Sequence, residues 1–246
     1  RRIYKTSAEE ATRIIVGAEF TKKCLVERYK IDPNKIDVIT LGYGSEFRVI
    51  DDQDGIDRII NKYNLSKPFM YYPAATWPHK NHERLFAALN LMRKRCRFDG
   101  ELVLSGIAMQ SHKDFREKIE KAGLGEEVKV LGYLPYEDLP YLYNLARILI
   151  FPSLFEGFGI PVVEAMACGC PVVCSNVTTM PEVVGNAGVM FDPFSPEDMS
   201  EKIWSVWNNP EKMQTMKRMG FERVKAFNWE DTARKTLEVY RKTSRP

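Results

Sequence analysis

The sequence has no run of about eighteen apolar residues, the length a helix needs to cross a bilayer, so no membrane span is expected. No secretory signal pattern stands at its start. Charge of one sign is not in excess: 36 Lys and Arg against 33 Asp and Glu leave a net charge of +3, too small to argue for nucleic acid. Internal repeats and low-complexity segments are also lacking. Cysteines number five, an odd count, and three of them, Cys168, Cys170 and Cys174, crowd into one helix end and the strand after it. A zinc site would need a fourth ligand at suitable reach. Small buried thiols in a reducing cytoplasm are the expectation, because free cysteine packs as a small hydrophobe.

What is present is enough chain for one or two ordinary domains: 246 residues, 44% of them hydrophobic. Apolar runs alternate with helical patterns. The expected strands are Phe69 to Tyr72, Glu101 to Ser105, Val128 to Leu131, Ile148 to Phe151, Pro171 to Cys174 and Val189 to Phe191. Helices are expected from about Asn81 to Arg95, Lys113 to Ala122, Tyr136 to Leu145 and Ile160 to Ala167. This alternation calls for an α/β doubly wound, Rossmann-like parallel sheet covered on both faces, with ligands at the carboxyl ends of its strands. Residues 46–67 are polar and charged, and read as a linker with a helix at Ile56 to Tyr63.

The richest segment follows the strand ending at Phe151. Phe155-Glu156-Gly157-Phe158-Gly159-Ile160-Pro161-Val162-Val163-Glu164 places two carboxylates across a glycine turn that opens a helix. Strand, glycine turn and helix start together aim free backbone N–H groups at an anion. Gly157 and Gly159 let the main chain approach a ligand, and Pro161 suits the first helical turn because it has no N–H to leave unpaired. Glu156 and Glu164 are better suited to accepting hydrogen bonds from sugar hydroxyls than to standing against a phosphate.

Beyond this turn come Pro171-Val172-Val173-Cys174-Ser175, Pro181-Glu182-Val183-Val184-Gly185-Asn186-Ala187-Gly188 and Val189-Met190-Phe191-Asp192-Pro193. The whole run resembles the nucleotide-sugar half of the retaining GT-B glycosyltransferases of the group 1, family 4 type, which include sucrose-phosphate synthases and bacterial mannosyltransferases. From Ile14 to Lys22 and on through Ile36 to Gly44, the chain resembles the last strand, helix and strand of that family's first domain. The implied organisation is a remnant of the acceptor-side domain at 1–45, linker and helix at 46–67, a nucleotide-sugar domain at 68–227 and a crossover helix at 228–246. The chain starts at Arg1 without a methionine, so a fragment or cleaved product, with little or no turnover of its own, is the expectation.

The resemblance implies transfer of a hexose from a nucleoside diphosphate sugar to a carbohydrate or lipid-linked acceptor, with retention at the anomeric carbon. It implies no metal and no cofactor, the sugar nucleotide being substrate. It assigns Glu156 to the donor-sugar hydroxyls and Lys80, in the loop Pro73 to His82, to the diphosphate, as the catalytic pair. The backbone of Gly157, Phe158, Gly159 and Ile160 would hold the phosphates and Glu164 the ribose. Gly106, after the second strand, would admit the nucleotide, and Gly132, Tyr133 and Leu134, after the third, would lie beside the base. The family's usual arginine in the Lys80 loop is replaced by Ala75 and Thr76. Cytoplasmic location follows, with peripheral membrane association of the full-length enzyme where the acceptor is lipid-linked.

Other motifs point elsewhere and are set aside. Asp52-Gln53-Asp54 matches a metal-holding Asp-x-Asp pattern but sits in the polar linker. Gly157-Phe158-Gly159 lacks the third glycine and the distal acid of a dinucleotide fingerprint. His79 and His82 have no further ligand cluster and are expected to line the phosphate loop. Arg93-Lys94-Arg95-Cys96-Arg97 reads as cations favourable at a helix carboxyl end. Two rivals to transfer remain open, a sugar-nucleotide epimerase of the same fold and a nucleotide-binding module without catalysis. The last helix, capped by Asn228, carries Ala233, Leu237 and Tyr240 on one face, which is expected to stay partly exposed here.

Overall fold

The computed structural model describes residues 2–96, 98–107 and 115–243. Arg97 of the basic run and the first two residues of the helix expected from Lys113 lie outside them. The elements are, in order, α1 (Arg2–Glu10), β1 (Ile14–Val16), α2 (Glu19–Tyr29), β2 (Ile36–Val38), α3 (Gln53–Tyr63), β3 (Phe69–Pro73) and α4 (His82–Arg95). Then follow β4 (Glu101–Ser105), α5 (Phe115–Lys121), β5 (Val128–Val130), α6 (Leu139–Leu145), β6 (Ile148–Phe151), α7 (Ile160–Ala167) and β7 (Val172–Ser175). The chain ends with α8 (Met180–Val184), β8 (Gly188–Phe191), α9 (Pro196–Trp207), α10 (Pro210–Val224) and α11 (Trp229–Thr243).

Six strands form one parallel sheet in the order β5-β4-β3-β6-β7-β8. The chain works outward from β3 in one direction, then returns to lay β6 beside β3 and works outward in the other. That reversal leaves a crevice beyond the carboxyl ends of β3 and β6, the topological switch point where ligands bind in such sheets. Met70, Tyr71, Leu102, Val103, Ile148, Leu149, Val172 and Val173 are wholly buried, so these strands are covered on both faces and read as continuous apolar runs rather than alternating ones. A separate parallel pair, β1 and β2, pins Ile14 opposite Ile36 and Val16 opposite Val38. It has its own small core of Val16, Ile31 and Ile36.

The sequence locates all six strands of the main sheet, β4 and β6 to the residue. Two expected elements differ in form. The pattern from Tyr136 to Leu145 divides into a 3-10 turn, Tyr136–Asp138, and α6, which carries Pro140 in its first turn. The linker helix starts earlier than Ile56, at Gln53, because the Asp52 carboxylate caps it by accepting from Gly55 N at 3.1 Å. Asp52 also accepts from the Tyr141 hydroxyl at 2.8 Å, so this acid of the Asp-x-Asp pattern serves as a helix cap tied to α6. Helices α9 and α10 were not anticipated, yet each opens on a readable signal. Ser195 and Asn209 accept from the N–H groups of Asp198 and Lys212, and a proline follows each cap at the first helical position.

Asp138 fastens the loop after β5 from behind. Its side chain is fully buried and accepts from Lys62 Nζ at 2.5 Å, from the Tyr63 hydroxyl at 2.5 Å and from Arg58 at 3.2 Å, all on α3. Burial pushes its carboxyl upward, but the hydrogen bonds from Lys62 and Tyr63 outweigh that and hold it below its ordinary value. At the other end of the chain, Asn228 caps α11 through Asp231 N at 2.7 Å. Ala233, Leu237 and Tyr240 are exposed, as expected, while Val239 is buried. The start of α11 is nevertheless seated on the first segment: Thr232 donates to Thr40 O at 2.7 Å, and a Cβ on Gly42 would stand 2.4 Å from Trp229 N. No helix among the described residues is long and apolar enough to cross a membrane.

Candidate functional site

The two loops that leave β3 and β6 meet at the switch point. Lys80 arrives on the first and Glu156 on the second, and Lys80 Nζ donates to Glu156 Oε1 at 2.5 Å. Both side chains are largely shielded, 16% and 14% exposed. The loop carrying Lys80 is fixed by its main chain: Tyr72 donates to Lys80 O at 2.8 Å, and Leu154 N donates to His79 O at 2.8 Å. Asn81 does the most to seat it. Its backbone is left-handed, with φ of 62°, and its buried amide donates to Pro152 O at 3.0 Å and to Pro193 O at 2.8 Å, tying three loops together. The sequence offered a signal for this residue, since asparagine tolerates the left-handed region, but not for its long-range partners.

The two glycines of the turn that opens α7 differ. Gly159 stands at the start of α7 with φ of 102°, and a Cβ there would come within 2.4 Å of Met180 Cε. The left-handed conformation demands glycine, whereas the Met180 tip could move aside. At Gly157 a Cβ would meet nothing within 4 Å. The protein alone does not require a glycine there, so any need for one has to come from a ligand. No side chain caps α7; Pro161 has no N–H and Val162 N donates back to Gly159 O at 3.0 Å. Phe158 is buried against Phe227, ring centroids 5.7 Å apart, so only its backbone is available to a ligand.

A cavity of about 390 Å³ is lined by Lys80, Phe151, Glu156, Gly157, Phe158, Gly159, Ile160 and Pro161, together with Gly17 and Leu41 from the first segment. Lys80 is the only cation among its lining residues. A second cavity, of about 270 Å³, opens between the carboxyl ends of β3, β4 and β5. It is lined by Gly106, Tyr133 and Leu134 with Ala74, Ala75, Ile107 and Tyr136. The two cavities form two lobes at the carboxyl ends of the sheet.

Several expectations are corrected. Gly106 lines the second cavity, but with φ of 136° the space its missing Cβ leaves is taken by the neighbouring loop, 2.5 Å from the Ala74 carbonyl carbon. Gly132 lies outside both cavity walls; its carbonyl accepts from Gly106 N at 2.7 Å, and its φ of 74° turns the chain towards Tyr133. His82 does not line the phosphate loop. It is buried in an aromatic cluster, 5.0 Å from both the Tyr72 and Phe115 rings, and burial, with the charge of Lys80, pushes its imidazole down to about 4. His79 is exposed and lines neither lobe.

Glu164 lines neither lobe; it is 9% exposed and accepts from the Tyr143 hydroxyl at 2.8 Å. Burial raises its carboxyl most, the Tyr143 hydrogen bond lowers it, and nearby Glu46 raises it again, for a net rise to about 7. An acid raised in the folded state holds a proton that the unfolded chain has already released. Stability therefore falls as pH rises from about 4.5 to about 7 and is flat above that. The shift is worth roughly 3 kcal/mol, and Glu164→Gln is expected to remove most of that slope. Denaturant midpoints at pH 5, 6, 7 and 8 measure it; parallel slopes in the two proteins would show that Glu164 is ionised throughout.

Of the cysteines, Cys168, Cys170 and Cys174 are free and buried, their thiols pushed well above the ordinary value by burial. They are packing groups.

Sheet order and switch-point loops are those of a Rossmann-like domain of the GT-B glycosyltransferase fold. Residues 54–223 match the family model of glycosyl transferases group 1, and the chain belongs to that family. It is 31% identical over 236 residues to the O-antigen chain mannosyltransferase B of Escherichia coli, covering 96% of this chain and 62% of that protein. To the D-inositol 3-phosphate glycosyltransferase of Segniliparus rotundus it is 30% identical over 240 residues, 94% of this chain and 52% of the relative. The chain thus spans between half and two thirds of the length of these two curated relatives. Sucrose-phosphate synthase from Thermosynechococcus elongatus superposes with a TM-score of 0.85 at 25% identity over 98% of this chain and 61% of that one. Anabaena Alr3699/HepE, solved in complex with UDP-glucose, has the same fold, with a TM-score of 0.87 at 20% identity, over 98% and 67%.

Proposed function

We propose that the protein transfers a hexosyl group, mannosyl in the first instance, from a nucleoside diphosphate sugar to a carbohydrate hydroxyl, with retention and without a metal. The Lys80–Glu156 pair carries the proposal: a shielded cation and carboxylate 2.5 Å apart, beside an uncapped helix start. The ammonium has three donors and spends one on Glu156, leaving two for a diphosphate oxygen. As the bond to the anomeric carbon breaks, negative charge gathers on the bridging oxygen of the leaving diphosphate. Lys80 and the N–H groups at the start of α7 are pre-aimed at that charge, and each such donor is worth about 3 kcal/mol in rate. Glu156 holds the donor-sugar hydroxyls and orients the anomeric carbon. The apolar lobe beside Tyr133 takes the base, and Glu164 reaches the ribose from beneath.

Mannose is favoured because the O-antigen chain mannosyltransferase B and the serotype-specific mannosyltransferase WbdA are both relatives at about this level of identity. Retention follows from the resemblance of the glycine-turn run to retaining enzymes. Metal independence is supported by the Lys80 position and by the engagement of Asp52 as a helix cap.

Calorimetric titration with UDP, GDP, ADP and dTDP, with and without magnesium, tests the donor site, followed by proton NMR of the product's anomeric configuration. Selective binding that is indifferent to magnesium and lost in Glu164→Ala, with an axial donor giving an axial product, is the expected result. An isomerised donor in the absence of acceptor would point to epimerisation instead.

A further inference from the structure

Beyond the catalytic pair, the segment 178–182 joins the phosphate loop to a helix of the first segment. Thr178 sits in the left-handed region, φ of 57°, where a β-branched residue is strained, and its hydroxyl accepts from Glu156 N at 3.3 Å. Thr179 is buried, and its hydroxyl donates to Phe158 O at 3.0 Å and lies 3.4 Å from Glu156 O. One turn on, Glu182 reaches 163 positions back along the chain. Its Oε2 accepts from Glu19 N at 2.7 Å and its Oε1 from Phe20 N at 2.6 Å. These are the first two amides of α2, whose own N-cap residue, Ala18, has no side chain able to cap it.

The Glu182 carboxylate is therefore the missing cap, supplied from the other side of the cleft, where a negative charge suits the positive end of α2. Its backbone is held in turn: the Arg223 guanidinium donates to the carbonyls of Glu182 and Val183, the latter at 2.9 Å, and lies over the Phe227 ring. On the far side, α2 and its approach bear on the phosphate loop. Thr21 Oγ1 lies 3.4 Å from Gly157 O, a Cβ on Gly17 would stand 3.4 Å from the Phe158 ring, and Phe20 makes an edge contact with Phe155 at 6.4 Å. Gly17, immediately before α2, is part of the wall of the Lys80–Glu156 cavity.

We infer that Glu182 is a positioning residue that couples the seating of α2 to the geometry of the Glu156–Gly159 loop, so that the first segment closes the phosphate lobe for transfer. Lys80, Glu156 and the start of α7 all lie on the main sheet's own loops. Donor affinity is therefore expected to survive loss of the latch, and turnover to suffer. The inference rests on the transfer activity proposed above, and its test separates the two.

In the full-length protein, Glu182→Gln is expected to lower kcat on the order of ten-fold, the scale of a lost helix cap, with the donor KM changed by less than about three-fold. Hydrogen exchange at the amides of residues 19–22 should accelerate. Thr179→Val keeps the shape and the α2 cap but cuts the strap at its other end. It should lower kcat similarly while residues 19–22 keep their protection, and the double variant should lose little more than either single one, because both act through one strap. Faster exchange in Glu182→Gln with unchanged kcat would reduce Glu182 to a structural cap and overturn the coupling. So would unchanged exchange. Failure of the unmodified protein to bind any nucleoside diphosphate would instead strike the transferase proposal, with the exchange data still reporting the cap.

Discussion

Lys80→Met is expected to reduce kcat at saturating donor on the order of a hundred-fold, the scale of one lost donor to a developing oxyanion. Among the described residues, Lys80 is the only cation in the wall of the proposed phosphate lobe, and the positions where a second is usual hold Ala75 and Thr76, one in the wall of the second lobe and the other buried with its N–H directed to Ile107 O. Among the described residues, no other cation lines that lobe. The substitution also leaves the Glu156 carboxylate, 14% exposed, without its partner 2.5 Å away, which costs stability because one half of a shielded pair remains. The double variant Lys80→Met with Glu156→Gln isolates the two effects. It should recover stability and stay as slow as the single variant. Glu156→Gln alone should impair transfer while leaving nucleoside diphosphate affinity near that of the unmodified protein. A kcat for Lys80→Met within three-fold of the unmodified protein would remove Lys80 from the mechanism.

Gly106→Val is expected to destabilise the fold by more than about 3 kcal/mol and to abolish binding in the base lobe. Two penalties coincide there. At φ of 136° an L side chain is strained, and the Cβ would lie 2.5 Å from the Ala74 carbonyl carbon and oxygen and 2.8 Å from Ala75 N, all backbone atoms. Backbone cannot swing aside as a side-chain tip can. The Ala74–Ala75 turn would have to leave β4, breaking the hydrogen bond of 2.7 Å from Ala74 N to Ser105 O and moving two residues of the cavity wall. Gly132→Ala is the control. Its φ of 74° is also left-handed, but a Cβ there meets nothing within 4 Å, so a loss of about 1 kcal/mol is expected. Denaturant midpoints of the two variants measure the difference, and similar losses would show that the Ala74 contact is unimportant.

The four inner strands of the main sheet, β3, β4, β6 and β7, were legible because they are buried on both faces, and burial of that kind writes itself as a short apolar run such as Ile148–Phe151. The helix after the glycine turn was legible because Gly159 and Pro161 punctuate its start. The starts of α9 and α10 carry equally local signals, a capping Ser195 or Asn209 followed by a proline. His82 misled for the opposite reason: a histidine three positions from another invites a shared role, whereas a helix start turns His82 inward among Tyr72 and Phe115 and leaves His79 at the surface.

By itself the sequence determined the alternation of strand and helix and the glycine turn that opens α7, because these depend on local backbone preferences and residue types; Glu156 and Lys80 were singled out by the family resemblance. Only the tertiary structure decided that Lys80 and Glu156, 76 positions apart, share a hydrogen bond. It alone showed that Ala74 fills the space over Gly106, that burial raises Glu164, and that Glu182 caps a helix 163 positions away. The physical reason is common to all four. Desolvation, close contact and paired charge depend on distances between segments, and those distances are fixed by how the sheet is ordered rather than by neighbours along the chain.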